Sequence, residues 1–198
     1  MKIGILGGSF DPIHNGHLNM VLQAYQQYAL DEMWLIPNGN APHKDTDKMA
    51  NAMHRLRMCE LVAQEYPFIK TCDIEIVSAE CSYTYITMTK LKELYPEHEF
   101  YFIMGADSLD YFEKWRKPEV IASCCKLLVV NRDDFSEKDL QDKIQKINTL
   151  FPADIFIVHC SKVDVSSTEL RKNLKKQDVL PSVYDYICTH HLYGNEEM

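Results

Sequence analysis

The amino-acid sequence predicts an α/β fold, with a Rossmann-like, doubly wound parallel sheet and a small C-terminal helical portion. Apolar, strand-like runs alternate with helix-like segments through most of the 198 residues. The first of these runs leads directly into two glycines and then into a helix-like segment. Alternation of this kind favours right-handed βαβ crossovers, which build a parallel sheet that is covered on both faces.

Each predicted strand is a short apolar run that ends in turn residues or in a polar segment. The run from Phe100 to Met104 is the most strand-like in the chain, and it leads into Gly105-Ala106-Asp107. The predicted strands are Lys2 to Leu6, Met33 to Ile36, Phe68 to Cys72, Phe100 to Met104, Lys126 to Val130 and Asp154 to Val158.

The predicted helices show apolar residues at helical spacing, and prolines follow two of them. They cover His17 to Tyr28, Ala50 to Tyr66, Thr84 to Tyr95, about Lys138 to Leu150, about Thr168 to Leu174 and about Ser182 to Cys188. The polar segment from Asn38 to Met49 is predicted to be a loop. We expect one domain over residues 1–198, in which the C-terminal helical part begins at about residue 165.

Composition excludes several classes of protein. The net charge of −8 argues against a nucleic-acid partner, and no apolar run approaches the ~20 residues that span a bilayer, so no membrane partner is expected. Seven cysteines without a C-x-x-C pair indicate neither a disulfide framework nor a cysteine zinc site. The N-terminus has no signal-peptide pattern, and we expect a cytoplasmic protein.

The segment from Gly7 to Leu18, GGSFDPIHNGHL, is the most informative part of the chain. Two glycines after a strand let the backbone approach a ligand, and the helix that follows directs free N–H groups at the same place. His14 and His17 are three residues apart, so both can face one phosphate. The residues by themselves leave two alternatives, a surface histidine pair and a pair of metal ligands.

A second anion-binding pattern lies in VSSTELR, residues 165–171. Ser166, Ser167 and Thr168 are good helix N-caps, and Arg171 falls one turn later. An ordinary capped helix with a solvated arginine is the alternative. Four segments each follow a predicted strand: the Gly7-Gly8 turn, the Asn38–Lys44 loop, Gly105-Ala106-Asp107 and Asn131-Arg132. We therefore expect them to meet in one crevice at the carboxyl ends of the strands.

These strings resemble the nucleotidylyltransferase superfamily. His14, Asn15, Gly16 and His17 match its H-x-G-H element, and residues 165–171 match its I-S-S-T-x-x-R element with Val165 in place of isoleucine. Three further strings resemble the branch that acts on pyridine mononucleotides: Pro42-His43-Lys44, Ser82 to Thr87, and Gly105-Ala106-Asp107 followed by Trp115. Leu180 to Tyr193 is similar to the closing segment of that branch.

The resemblance implies adenylyl transfer from ATP to nicotinate mononucleotide, with Mg²⁺ on the triphosphate. It implies catalytic roles for His14, His17, Lys44 and Arg171. The residues implied to bind ATP are Gly7, Gly8, Ser9, Phe10, Gly16, Gly105, Asp107, Arg132, Ser166, Ser167 and Thr168. Those implied to bind the mononucleotide are His43, Thr84 and Trp115.

One departure from the branch concerns Arg116, which stands after Trp115 where tyrosine is frequent. It leaves the contacts to nicotinate less defined than those to ATP. Open alternatives are a nicotinamide mononucleotide or phosphopantetheine acceptor, cytidylyl transfer, and a nucleotide-binding protein without turnover. The sequence also leaves open whether the chain forms a homo-oligomer.

Overall fold

The computed structural model describes residues 1–39, 49–78, 80–132 and 135–194. Its strands are Lys2–Gly8 (β1), Glu32–Pro37 (β2), Ile69–Thr71 (β3), Glu99–Gly105 (β4), Lys126–Asn131 (β5) and Ile155–His159 (β6). They form one parallel sheet in the order β3-β2-β1-β4-β5-β6. The predicted Rossmann-like α/β fold is therefore confirmed, with all six strands within a few residues of their predicted positions.

Parallel pairing explains why the inner strands β2, β1, β4 and β5 carry long continuous buried runs. In β5, Leu127 to Val130 are fully buried, and β4 and β1 contain similar continuous buried runs. Lys2 to Ile5 pair with Glu99 to Phe102, and β4 pairs in turn with β5. A parallel sheet is buried on both faces, so it needs unbroken apolar runs instead of alternation.

Helices lie between the strands along the chain, and two of the helices were not predicted from the sequence. The α-helices are Asn15–Tyr28 (α1), Ala52–Glu65 (α2), Thr84–Leu94 (α3), Ala106–Leu109 (α4), Pro118–Cys124 (α5), Glu137–Leu150 (α6), Ser167–Lys172 (α7) and Pro181–Thr189 (α8). With four and seven residues, α4 and α5 contain too few turns to show a helical period. No helix in the described ranges is long and apolar enough to cross a membrane.

The chain divides into two compact units. The first comprises Met1–Leu6, Met20–Met33 and Tyr83–Lys162, and the second comprises Gly7–Asn19, Trp34–Ser82 and Val163–Met198. In the first unit α3 packs on α5, and in the second α2 packs on α8 through buried side chains such as Val62, Val183 and Ile187. The single domain expected from the sequence stays a prediction.

Candidate functional site

The loop between β1 and α1 is anchored by Phe10. This side chain is 1% exposed although its backbone has a φ of 49°, in the left-handed region. Its ring meets the His17 ring edge-on, with 5.2 Å between centroids. The helix begins immediately beyond, because the His14 carbonyl accepts the N–H groups of His17 and Leu18. A buried aromatic side chain therefore fixes the loop of residues 9–14, called the histidine loop below, which carries His14 and leads into the first turn of α1, where His17 lies.

The two histidine rings lie against each other, with centroids 3.8 Å apart. The Nδ1 atom of His17 accepts the backbone N–H of His14 at 3.3 Å, and Nδ1 of His14 accepts that of Gly16 at 3.1 Å. A nitrogen that accepts a hydrogen bond does not carry the proton, so each neutral ring holds its proton on Nε2. Backbone contacts thus make both histidines Nε2–H donors.

Gly16 has a steric reason to be glycine. A Cβ at this position would lie 3.0 Å from the His14 ring and 3.2 Å from the Val165 side chain. The contact with Val165 also shows that the residues before α7 pass directly over the start of α1. The H-x-G-H spacing therefore reflects close packing as well as chemistry.

The hydroxyl and arginine residues of the second motif are attached to the same loop. Ser166 caps α7 by accepting the N–H of Glu169 at 3.3 Å. The Ser167 hydroxyl donates to the Pro12 carbonyl at 3.0 Å, and Nη1 of Arg171 donates to the Asp11 carbonyl at 2.8 Å. Two motifs more than 150 residues apart are thereby joined in the second unit.

Arg55 is a residue of this region that the sequence analysis missed. It is 3% exposed, and its guanidinium donates to the Ala50, Ser9 and Asn38 carbonyls and to the Asn38 side-chain oxygen. Burial lowers the pKa of Arg55 from its ordinary value, and the negative charge of Asp11 opposes this. The sequence did contain a signal for a buried role of Arg55: it is a charged residue on the otherwise apolar face of α2, beside Leu56.

A second group of predicted site residues lies in the first unit. Asp107 stands in the first turn of α4, directly after β4, and its carboxylate is 3.8 Å from the Arg132 guanidinium after β5. A Cβ on Gly105 would collide with the Asp107 carboxylate. Gly105, Asp107 and Arg132 are therefore neighbours, and they combine one hydrogen-bond acceptor group with one cation.

The aromatic residue predicted to contact the mononucleotide is surrounded by other rings. Trp115 lies 5.4 Å from Phe112 and 6.2 Å from Phe102, centroid to centroid. Thr84 is the first residue of α3, and the preceding Tyr83 ring lies 4.7 Å below the Arg116 guanidinium carbon. The structure thus brings Arg116, the residue that departs from the family pattern, to the N-terminus of α3.

The site residues predicted from the sequence are divided between the two units. His43 and Lys44 lie outside the described residues. The second unit contains Gly7, Gly8, Ser9, Phe10, His14, Gly16, His17, Ser166, Ser167, Thr168 and Arg171. The first unit contains Thr84, Gly105, Asp107, Trp115 and Arg132.

The fold is that of a Rossmann-like α/β protein, and the donors of the second unit suit an anion such as phosphate. Imidazole Nε2–H groups, hydroxyls and a guanidinium around a strand–loop–helix junction form a set of hydrogen-bond donors that suits an anion. The chain belongs to the cytidylyltransferase-like family, whose profile matches residues 5–173.

Relatives that align with almost the whole chain carry a more specific name than the family. A protein from Shewanella pealeana, named probable nicotinate-nucleotide adenylyltransferase, is 41% identical over 99% of this chain and 97% of its own. A relative with the same name from Clostridium botulinum strain Okra is 36% identical over 96% of this chain and 97% of its own.

Solved structures agree on the fold. Plasmodium falciparum nicotinic acid mononucleotide adenylyltransferase, complexed with NaAD, superimposes with a TM-score of 0.79 over 100% of this chain and 99% of its own, at 24% identity. A putative nicotinate-nucleotide adenylyltransferase from Vibrio parahaemolyticus gives a TM-score of 0.65 over 98% of this chain and 96% of its own, at 19% identity. At these identities the likeness supports the α/β architecture alone.

Proposed function

We infer that this protein transfers the adenylyl group of ATP to nicotinate mononucleotide, forming nicotinate adenine dinucleotide and pyrophosphate. Full-length relatives at 41% and 36% identity carry the name of that activity. The structural observation that carries the inference is the pair of imidazoles whose Nδ1 atoms are occupied by backbone N–H groups. Two fixed Nε2–H donors beside a helix start suit the negative charge of a reacting phosphate.

In this reaction a phosphate oxygen of the mononucleotide attacks the α-phosphorus of ATP in line. The new O–P bond forms as the bond from the α-phosphorus to the bridging oxygen breaks, and pyrophosphate leaves with that oxygen. Such a transfer depends on positioning and charge stabilisation and needs no covalent help from the protein. We assign the main donation to the α-phosphate oxygens to His17, with His14 assisting.

The leaving pyrophosphate needs its own donors. We assign the β- and γ-phosphates to Ser167, Thr168 and Arg171, and a supporting contact to Ser166. The bonds from Ser167 to Pro12 and from Arg171 to Asp11 support this assignment, because they attach the α7 donors to the histidine loop. Glycine and backbone groups from Gly7 to Phe10, together with Gly16, would line the same phosphates.

The other assignments concern the two nucleoside parts. We propose that Asp107 accepts from ribose hydroxyls of ATP and that Gly105 and Arg132 contact the same nucleotide. We propose that Thr84 and Trp115 contact the mononucleotide. The roles of His43 at the mononucleotide and of Lys44 at the acceptor phosphate rest on the sequence resemblance.

We propose that Mg²⁺ enters with ATP. Imidazole N–H and guanidinium groups around the histidine loop fit phosphate oxygens and do not bind a hard cation. The carboxylate of this loop, on Asp11, is buried and already accepts from the Ala50 N–H and the Tyr193 hydroxyl. The ion fits on the phosphate oxygens and water, where it would reduce the charge of the leaving pyrophosphate.

We also propose a cytoplasmic location. All seven cysteines are free thiols, three of them buried: Cys59, Cys125 and Cys160. Free thiols in this number suit a reducing compartment. The oligomeric state is a separate question, to be decided by light scattering.

The activity is tested by pyrophosphate release from ATP and Mg²⁺, with nicotinate mononucleotide and nicotinamide mononucleotide in parallel. We expect rapid release with nicotinate mononucleotide. Pyrophosphate release with nicotinamide mononucleotide but not with nicotinate mononucleotide would show that the amide is the acceptor. Absence of release with both mononucleotides would contradict the proposed function. Phosphopantetheine, CTP and nucleotide-binding titrations would then separate the other family activities from a binder without turnover.

His17→Ala tests the mechanism in the same assay. We expect kcat to fall on the order of 10²-fold or more, as for the loss of a donor to a developing charge. His190→Ala, an exposed histidine at the end of α8, is the control and is expected to keep full activity. Near-wild-type turnover by a folded His17→Ala protein would remove His17 from the mechanism.

A further inference from the structure

The C-terminal 3₁₀ helix, Leu192–Gly194, contains a strained residue. Tyr193 has φ 62° and ψ 23°, in the left-handed region that non-glycine residues adopt at a cost. Its hydroxyl donates to Oδ1 of Asp11 at 2.7 Å, across 182 positions of sequence. Burial and the neighbouring carboxylate raise the pKa of Tyr193, so the phenol keeps its proton and acts as the donor. The strained backbone therefore delivers one specific hydrogen bond.

Asp11 is a buried carboxylate with several partners in the second unit. Its side chain is 1% exposed, and Oδ1 also accepts the backbone N–H of Ala50 at 3.0 Å. Its other oxygen, Oδ2, lies 3.6 Å from Nη1 of Arg171. The same Nη1 donates to the backbone carbonyl of Asp11 at 2.8 Å. A single residue thus holds the Arg171 guanidinium from its backbone and from its side chain.

The Asp11 carboxylate lies 3.6 Å from the Arg171 guanidinium, so a rotation of the carboxylate would change the attraction that Arg171 experiences. Without the Tyr193 hydroxyl, Oδ1 would keep one donor, Ala50, and the carboxylate would be free to rotate toward its two positive neighbours, Arg171 and Arg55. A carboxylate that turns fully toward Arg171 draws the guanidinium inward, because close opposite charges in a buried site attract strongly. The Tyr193 hydrogen bond opposes that rotation.

We propose that Tyr193 is a positioning residue: its hydroxyl orients Asp11 so that the Arg171 guanidinium stays directed at the leaving phosphates. The proposal rests on the proposed function for the role of Arg171. Tyr193 itself touches no substrate, and it acts through Asp11. The end of the chain thereby controls the strength of triphosphate binding.

The test is Tyr193→Phe, which removes the hydroxyl and keeps the ring. We expect the KM for ATP to rise about 3- to 10-fold, the effect of one hydrogen bond, with the KM for nicotinate mononucleotide within twofold of wild type. Tyr186→Phe is the matched control: it removes a hydroxyl that lies 2.9 Å from Nδ1 of His54, also in the second unit, and it should change neither constant. An unchanged ATP KM in Tyr193→Phe would overturn the proposal.

A double variant separates positioning from a general structural role. Because Tyr193 acts through Arg171, Tyr193→Phe should add almost nothing to the ATP KM of Arg171→Ala. Full additivity would overturn the proposal. If Tyr193→Phe does not fold, Tyr193→Asn carries the test, because asparagine tolerates the left-handed backbone and its short side chain lacks the phenol hydroxyl. The expected rise is the same, and an unchanged ATP KM would again overturn the proposal.

Pyrophosphate binding distinguishes this proposal from the proposed function. Calorimetric titration of the folded variants with pyrophosphate needs no turnover. We expect Tyr193→Phe to bind it 3- to 10-fold more weakly than wild type, again about one hydrogen bond. Equal affinities would overturn the positioning role, whereas an inactive wild type that still binds pyrophosphate would contradict only the proposed function.

Discussion

The guanidinium of Arg55 joins three segments around the histidine loop, and Arg55→Met tests how much stability that junction supplies. Methionine keeps much of the length and apolar volume of the arginine stem but cannot donate hydrogen bonds. The substitution leaves the Ser9, Asn38 and Ala50 acceptors without their donor. It also removes a positive charge that interacts with the buried Asp11 carboxylate.

The four hydrogen bonds set the size of the effect. Their lengths run from 2.7 Å to 3.1 Å, and the loss of each hydrogen bond costs about 1 kcal/mol. That sum is about 4 kcal/mol, and relief from desolvating the guanidinium offsets part of it. We expect a net loss of about 3 kcal/mol, which lowers the Tm of a chain of this size by roughly 6–12 °C.

Thermal unfolding followed by circular dichroism measures the effect directly. Arg57→Met is the matched control, two residues further along α2, where the arginine is exposed and pairs with Glu60 at 2.8 Å. An exposed pair of this kind contributes at most about 1 kcal/mol, so its Tm should stay within roughly 4 °C of wild type. Equal Tm values for the two variants would refute the structural role assigned to Arg55.

Three further predictions use other parts of the chain. Gly39→Ala should lower the Tm, because a Cβ there overlaps the Glu75 carbonyl, and the expected loss of about 1–3 kcal/mol is measurable by urea unfolding; an unchanged midpoint would show that the backbone yields freely. Arg171→Ala should raise the KM for ATP more than that for nicotinate mononucleotide in steady-state kinetics, and an unchanged ATP KM with unchanged kcat would remove it from the triphosphate site. Burial raises the pKa of Cys59 and of Cys125, so both stay protonated at pH 8 and should resist a thiol reagent until the protein unfolds; mass spectrometry that finds either labelled in folded protein would contradict this.

Local patterns accounted for most of the fold. Continuous apolar runs identified β1, β2, β4 and β5 because the inner strands of a parallel sheet are buried on both faces. Shorter runs identified the edge strands β3 and β6, and the long helices were identified by their helical period. The short α4 and α5 were missed for lack of turns. In the site, the spacing of His14 and His17 predicted that their side chains would lie together, and the rings are 3.8 Å apart although His14 precedes the first residue of α1.

The sequence by itself determined the kinds of groups available: a glycine turn after a strand, two histidines one turn apart, and hydroxyls with an arginine at a helix start. These are properties of neighbouring residues, and neighbours in sequence have a fixed geometry. Only the tertiary structure decided how the groups are used. Asp11 meets Arg171 and Tyr193 from 160 and 182 positions away, and these contacts attach α7 and the 3₁₀ helix Leu192–Gly194 to the histidine loop. Such contacts depend on the path of the whole chain, because a buried carboxylate is stable only where distant segments bring it donors and opposite charge.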